Sequence, residues 1–298
     1  MRIIDQSLPI EQQSSYPCIC VSAEGERSRG EYHLQNENAV RVYVNGELTM
    51  TLMCSADHIV ELVVGRLYTE NMIDSADEIE EVWLCEYSTR VLVYLADRRA
   101  DVSKRMEQTV PTCCTFNRNL NGYFVKGEDV QPVRPIAWST EDIFALTRVF
   151  EGDSPMHRRS FGVHSCYLAR GAEVLYSFED LGRHNAFDKV VGKALIDGVD
   201  LRQCTVFTSG RIPTDMAVKA IRARVPVLVS KAVPTDLTVE MARAFDLTLI
   251  CSAHSDSIKV YNDPRAVVDD GVLAQQAAAA KARNAQADAA CAVPDGRA

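Results

Sequence analysis

Apolar and polar positions along this chain follow two different periods, and the change of period divides it. Val40, Val42 and Val44 alternate with polar neighbours, Asn45-Gly46 supplies a tight-turn pair, and Leu48, Met50 and Leu52 alternate back. That pattern predicts a β-hairpin closed by a type I′ turn. Between Ala56 and Met72, Ile59, Leu62, Val63 and Leu67 recur at three and four residue steps, with Asp57 near the start, which predicts a helix. Residues 79–96 return to strand-like composition, with Glu81-Val82-Trp83-Leu84 and Arg90-Val91-Leu92-Val93-Tyr94. These elements predict a small N-terminal α+β domain over residues 36–137, built on antiparallel strands and preceded by an irregular polar lead-in over 1–35.

A polar stretch from Asp97 to Pro135, carrying Pro111, Pro132, Gly122 and Gly127, reads as loop. Ser139-Thr140-Glu141-Asp142 then opens a helix with Ile143, Phe144, Leu146, Val149 and Phe150, the bridge into a second domain over 138–271. There short apolar runs alternate with helical ones. Cys204–Thr208 precedes a helix from Thr214 to Arg222, Pro226–Val229 precedes one from Thr235 to Phe245, and Leu247–Ile250 is a further strand. Strands alternating with short helices predict an α/β domain with a mixed, mostly parallel sheet. The alanine-rich residues 272–298 read as a tail.

The densest chemistry lies where the run Glu173–Tyr176 meets the helical face of Phe187, Val190, Val191, Ala194 and Leu195. Glu179, Asp180, Arg183, His184, Asn185, Asp188 and Lys189 crowd this junction around Gly182. Asp180 as an N-cap would account for one of them; seven indicate a site. The later strand ends carry Ser209-Gly210-Arg211, then Ser230-Lys231 and Thr235, then Ser252-Ala253-His254-Ser255. On a parallel sheet these loops share one edge. Hydroxyls, glycine, cations and helix-start amides gathered there form an anion receptor, most simply for a nucleotide or other phosphate compound. Neither a Walker run nor a dinucleotide glycine fingerprint is present. His164 precedes another strand-like stretch; a lone histidine is first a structural residue, and closeness in sequence to the junction gives it a site role as well.

Composition narrows the ligand and partner classes. A formal net charge of −9 argues against general nucleic-acid binding. No apolar run approaches membrane-spanning length, and the N-terminus has no signal-like apolar core. Ten cysteines without a regular framework favour free thiols in a reducing cytoplasm. Cys18 and Cys20 lack neighbouring metal-ligand residues in sequence and read as incidental. The adjacent Cys113 and Cys114, near Arg118, read equally as a reactive thiol site or as two structural cysteines. Ser165 and Cys166 follow His164, and no Cys-x-x-Cys occurs, so the chain lacks the signature of a zinc deaminase and no metal site is expected.

Phe161-Gly162-Val163-His164, Glu179–Lys189, Ser209-Gly210-Arg211-Ile212 and Ala232-Val233-Pro234-Thr235 occur in the order and spacing of the FdhD/NarQ family of formate dehydrogenase accessory sulfurtransferases. Val44-Asn45-Gly46, Leu52-Met53 and Glu61–Leu67 resemble it too, so the likeness spans about residues 36–262. The resemblance implies a cytidine-deaminase-like three-layer C-terminal domain without zinc chemistry, in a cytoplasmic homodimer. It implies a protein that takes persulfide sulfur from a cysteine desulfurase. The recipient would be the molybdenum or tungsten bis-guanine-dinucleotide cofactor of the formate dehydrogenase catalytic subunit, with a guanine nucleotide as surrogate ligand. The family's Cys-Gly-x-Cys loop matches Thr112-Cys113-Cys114-Thr115-Phe116, which implies Cys113 as the persulfide carrier, Cys114 as substitute or resolving thiol, and Phe116 in place of the second cysteine. The implied cofactor contacts are His164, Glu179, Asp180, Gly182, Arg183, His184, Asn185, Asp188, Lys189, Ser209, Gly210, Arg211, Lys231 and Thr235, with the stretch Ser252, Ala253, His254, Ser255, Asp256 and Ser257. In that last stretch the family carries aromatic and arginine residues that this chain lacks. A cofactor-inserting chaperone that transfers no sulfur is the alternative the altered cysteine loop leaves open.

Overall fold

The computed structural model describes residues 1–98, 130–152 and 162–266. The Cys113-Cys114 loop, Phe161 and the alanine-rich tail lie outside the described residues. Every element below belongs to the compact unit Met1–Asp263.

The expected hairpin is strands β4 (Asn38–Val44) and β5 (Glu47–Cys54), with Val44 opposite Glu47. Asn45 and Gly46 both have positive φ, as a type I′ turn requires. β4 and β5 belong to a five-stranded sheet with β1 (Arg2–Asp5), β6 (Ile79–Leu84) and β7 (Arg90–Leu95), in the order β1-β6-β7-β4-β5. This sheet is mixed, not simply antiparallel: β1 runs parallel to β6 and β4 to β7. Val40, Val42, Val82, Val91 and Val93 bury one face against Leu62, Val63 and Leu67 of α1 (Ile59–Thr69).

The lead-in over 1–35 is not irregular. It supplies β1 and a separate two-stranded ribbon of β2 (Gln13–Val21) and β3 (Arg27–Gln35). Most of the ribbon's residues are exposed or half-exposed on both faces, so no alternation of buried and wet positions marked it in the sequence.

The second sheet has six strands in the order β13-β12-β11-β10-β8-β9: β8 (His164–Arg170), β9 (Glu173–Asp180), β10 (Thr205–Thr208), β11 (Val227–Ser230), β12 (Thr248–Cys251) and β13 (Lys259–Asn262). The expectation of a mostly parallel sheet is corrected. Only β10–β11 and β11–β12 pair in parallel, whereas β8–β9, β8–β10 and β12–β13 are antiparallel. The reason is loop length: Gly171-Ala172, and Ser252 to Ile258, are too short for the crossover that parallel neighbours need.

Helices cover both faces, giving three layers. Cys166, Leu168, Val206, Leu228 and Leu249 face α3 (Arg183–Ile196), α4 (Thr214–Arg222) and α5 (Asp236–Ala244). Tyr167, Ala169, Phe207, Val227, Val229 and Ile250 face α2 (Thr140–Gly152) through Ile143, Leu146 and Phe150. The alternation along each short strand assigns its residues to the two layers. Among the described residues no helix is long and apolar enough to cross a membrane.

Helices α1 and α3 join the two sheets backbone to backbone. A Cβ added to Gly65 would lie 1.9 Å from the Asp188 carbonyl oxygen, and one added to Gly192 would lie 1.8 Å from that of Glu61. Only glycine permits this approach.

Candidate functional site

β9 is antiparallel to β8, and β8 to β10, so β9 runs in the same direction as β10, β11 and β12. The carboxyl ends of these four strands therefore share one edge, which the antiparallel β8 enters through His164 and β13 through the loop after Cys251. The antiparallel pairings leave the expected rim intact because two reversals restore the direction.

The rim is stitched by hydrogen bonds between neighbouring loops. Ser209 donates its backbone N–H to the Ser165 carbonyl at 3.0 Å, and its hydroxyl accepts from Ser165 N–H at 3.1 Å. The same hydroxyl lies 3.1 Å from His164 Nδ1. The Ser165 hydroxyl donates to Glu179 Oε1 at 3.3 Å, so His164, Ser209 and buried Glu179 form one cluster. Ser230 donates its hydroxyl to the Gly210 carbonyl at 2.6 Å. The Lys231, Ser252 and Ala253 amides reach the Thr208, Ala232 and Ser230 carbonyls.

Arg183 opens α3 immediately after its cap residue, Gly182. Its aliphatic stem lies on Gly210, where a Cβ would sit 2.8 Å from Arg183 Cδ. Its Nε is buried and has no hydrogen-bond partner among the described residues, a donor left to be satisfied. Arg211 is exposed beside it, and Lys231 donates to Glu151 of α2 at 2.8 Å. That ion pair holds Glu151 below the usual carboxylate range, with further help from Ser255. Ser252, at positive φ, and buried Ala253 turn the last loop. His254, Ser255, Asp256 and Ser257 are exposed on it, closed by the His254 N–H to Ser257 carbonyl bond at 2.8 Å. Thr235 is exposed at the cap of α5, its hydroxyl 2.8 Å from that of Thr238.

His184 Nε2 lies 3.0 Å from Asp215 Oδ2 at the start of α4. Burial alone would push Asp215 up, but His184, the Met216 N–H donating to Oδ1, and Arg183 hold it below the carboxylate range. Asp215 escaped the sequence reading. Its signal was the Pro213-Thr214-Asp215 helix start, directly after the Ser-Gly-Arg loop that was singled out.

Two residues assigned to the receptor are not on the rim. Asp188 and Lys189 are fully buried, one helical turn beyond it, and fasten α3 to α1 and its approach loop. Asp188 accepts from Thr69 Oγ1 at 2.7 Å, from Lys219 Nζ at 3.0 Å through both oxygens, and from Arg66 at 3.3 Å. Lys189 Nζ reaches Asp57 Oδ1 and Asp180 Oδ2, both at 2.8 Å, and the Glu179 carbonyl at 3.0 Å. The partners lie up to 132 residues away, which is why their number looked like a ligand site in the sequence. Asp180 serves both sides. Its Oδ1 accepts from Gly182 N–H and Asn185 Nδ2, and its Oδ2 accepts from Ser55 N–H and Lys189. Asn185 also donates to the Met53 carbonyl at 2.8 Å. The cap of α3 is Gly182, not Asp180, which is the last residue of β9.

The edge therefore presents Arg183, Arg211, His164, His184 and loop hydroxyls from four connections, an arrangement able to take up an anionic group. Comparison with known proteins bears on its use. The sequence profile of the FdhD/NarQ family matches residues 35–268. A protein named sulfur carrier protein FdhD from Bacillus subtilis is 31% identical over 249 residues, covering 82% of this chain and 94% of the relative. One of the same name from Listeria innocua is 30% identical over 236 residues, covering 78% and 90%. The fold is also that of a crystal structure described as a formate dehydrogenase accessory protein from Desulfotalea psychrophila, with a TM-score of 0.70 at 23% identity over 86% of this chain and 99% of that one.

Proposed function

We infer the function from the premise that this chain belongs to the FdhD/NarQ family: it carries sulfur in the maturation of a formate dehydrogenase. It accepts sulfane sulfur as a persulfide on Cys113, with Cys114 beside it, from a cysteine desulfurase. It delivers that sulfur to the molybdenum or tungsten bis-guanine-dinucleotide cofactor of the dehydrogenase's catalytic subunit, working as a cytoplasmic homodimer. The observation that carries this reading is the common direction of β9 to β12, which gathers Arg183, Gly210, Arg211 and the 252–257 loop at one edge. The buried Arg183 Nε, which has no hydrogen-bond partner among the described residues, fits a phosphate or guanine acceptor. Exposed Arg211 adds a second cation, and the α3 start adds backbone N–H groups. In this reading the residues bind and orient the cargo, and the thiol performs the transfer.

Two experiments test it. Titration calorimetry with GDP is expected to register binding that weakens about tenfold in Arg211→Ala, the loss of one charge-assisted hydrogen bond. Absence of heat on wild type refutes the receptor. In cells lacking their own family member, this chain is expected to restore formate dehydrogenase activity, and the double change Cys113→Ser, Cys114→Ser to abolish it. Restored activity in the double variant with GDP binding intact would instead establish the cofactor-inserting chaperone, which Phe116 in place of a second loop cysteine favours.

A further inference from the structure

Cys18 and Cys20 occupy positions i and i+2 of β2, so both thiols emerge on the same face of the ribbon. Their sulfurs lie 3.9 Å apart. The Tyr32 hydroxyl, from β3, lies 2.9 Å from Cys20 Sγ. Gly30 stands opposite Cys18 in the ladder, and Tyr32 folds over it: a Cβ on Gly30 would sit 2.8 Å from the Tyr32 ring. The glycine therefore seats the tyrosine ring opposite Cys18 and lets its hydroxyl reach Cys20. Cys18 is exposed and Cys20 half-exposed.

This geometry disfavours a disulfide. Two strand steps separate the Cα atoms by about 6.8 Å, the upper limit for a bridged pair. The sulfur separation of 3.9 Å is nearly twice the S–S bond length of about 2.05 Å. Closing the gap would buckle a strand paired along its whole length. The pair is therefore held as two thiols in near contact, and the exposed side of Cys18 leaves space beside them for one further sulfur atom. The bond to Cys20 pushes the Tyr32 pKa up, and its hydroxyl can donate to the Cys20 sulfur once that sulfur is a thiolate.

We propose that Cys20, with Cys18 and Tyr32, is a second sulfur-holding station that takes up sulfane sulfur from a persulfide donor. The proposal rests on the sulfur-carrier reading and places a station of that activity outside the Cys113 loop. In the transfer, Cys20 gives up its proton to solvent, and its thiolate attacks the outer sulfur of a donor persulfide, RS–SH. The donor S–S bond breaks with its electron pair on R–S, which leaves as a thiolate and takes up a proton. Cys20–S–SH forms with no net oxidation. The new outer sulfur lies beside Cys18, whose S–H donates to it, while the Tyr32 hydroxyl stabilises the attacking and leaving thiolate forms of the Cys20 sulfur. Attack by an acceptor thiolate on that outer sulfur reverses the sequence and delivers it.

The test exposes the reduced full-length protein to glutathione persulfide and maps the mass gain of one sulfur, about 32 Da, on tryptic peptides. Residues 3–27 carry Cys18 and Cys20 on one peptide, and residues 106–118 carry Cys113 and Cys114 on another. The 3–27 peptide is expected to gain one sulfur. Cys20→Ser is expected to reduce that gain at least about tenfold, and Tyr32→Phe to slow it several-fold with the native fold retained. Sulfur on the 106–118 peptide alone, or a Cys18–Cys20 disulfide as the product, overturns the second station and leaves the sulfur-carrier reading standing. Sulfur on neither peptide refutes both. Equal uptake in Cys20→Ser and wild type assigns the reaction elsewhere and also overturns the proposal.

Discussion

The joint between the two sheets gives the sharpest quantitative test. Adding one methyl group at Gly192 places a carbon 1.8 Å from the Glu61 carbonyl oxygen and 2.7 Å from the Gly65 nitrogen, both backbone atoms that cannot rotate away. An ordinary contact begins near 3.4 Å, so α1 and α3 must separate by the difference, 3.4 − 1.8 = 1.6 Å. The Thr69–Asp188 hydrogen bond, now 2.7 Å, would stretch by the same amount and be lost. Overpacking costs about 1–3 kcal/mol. A buried hydrogen bond to a charged group adds about 1.5–3 kcal/mol. Alanine's better helix propensity returns about 1 kcal/mol. The net loss for Gly192→Ala is about 2–5 kcal/mol, a fall in Tm of roughly 10 °C for a unit of this size. The control is Gly152→Ala in α2, where a Cβ meets nothing within 4 Å among the described residues; it is expected to melt at or slightly above the wild-type temperature. Thermal unfolding by circular dichroism reads both. A Gly192→Ala protein melting within about 2 °C of wild type would show that the helices are not in backbone contact.

Other residues give independent checks. Glu70 is pushed up by burial, but Lys219 at 2.9 Å, with Arg66, holds it down at about 2. Its stabilisation is complete above the ordinary value of 4.5 and lost as pH falls toward 2, so Glu70→Gln should flatten the acid side of the stability profile over that window. Burial pushes Cys54 and Cys251 up to about 12, and raises Cys166 well above its ordinary value. Iodoacetamide at neutral pH should spare all three in the native protein and modify Cys85, whose thiol is lowered, despite partial burial, by Thr89 and neighbouring amides. Asp188→Asn should cost about 3 kcal/mol in urea unfolding, because Lys219 and Arg66 lose their fully buried counter-charge and are left with Glu70 alone. Asp180→Asn should lower both stability and GDP affinity, since one carboxylate serves the joint and the α3 start; unchanged affinity would disconnect the two.

Local features of the sequence carried much of the fold. Asn45-Gly46 specifies its turn through backbone conformation alone, and the period along 183–196 specifies α3, so both were legible without neighbours. Sheet direction was legible too, had loop length been weighed above the strand–helix rhythm: Gly171-Ala172 is a hairpin connection and admits no crossover. The β2–β3 ribbon was not legible, because alternation records burial and this ribbon buries little of either face. Nor was the division of the junction motif. Nothing local to Asp188 announces Thr69 or Lys219, and nothing local to Gly192 announces Glu61; both depend on how two distant helices cross. The same blindness applied to Asp215, whose meaning comes only from His184 arriving beside it.

The crowding of polar groups at the end of β9 now has a physical account that a ligand site alone would not give. Successive turns of α3 have different duties. Arg183 and His184 meet the β10 loop and the start of α4, while Asp188, Lys189 and Gly192 lock the next turn against α1 and its approach loop. Asp180 bridges the two with one oxygen on each. A helix start that must hold an anion without reorganising needs its backbone fixed from behind, because each freely moving donor would cost entropy on binding. Buried ion pairs seldom add net stability over well-packed apolar residues. Their presence behind the rim is better explained by registration: charges of opposite sign, drawn from α1, α4 and the loop before α1, admit one relative placement of α3 and so one placement of Arg183 against Gly210.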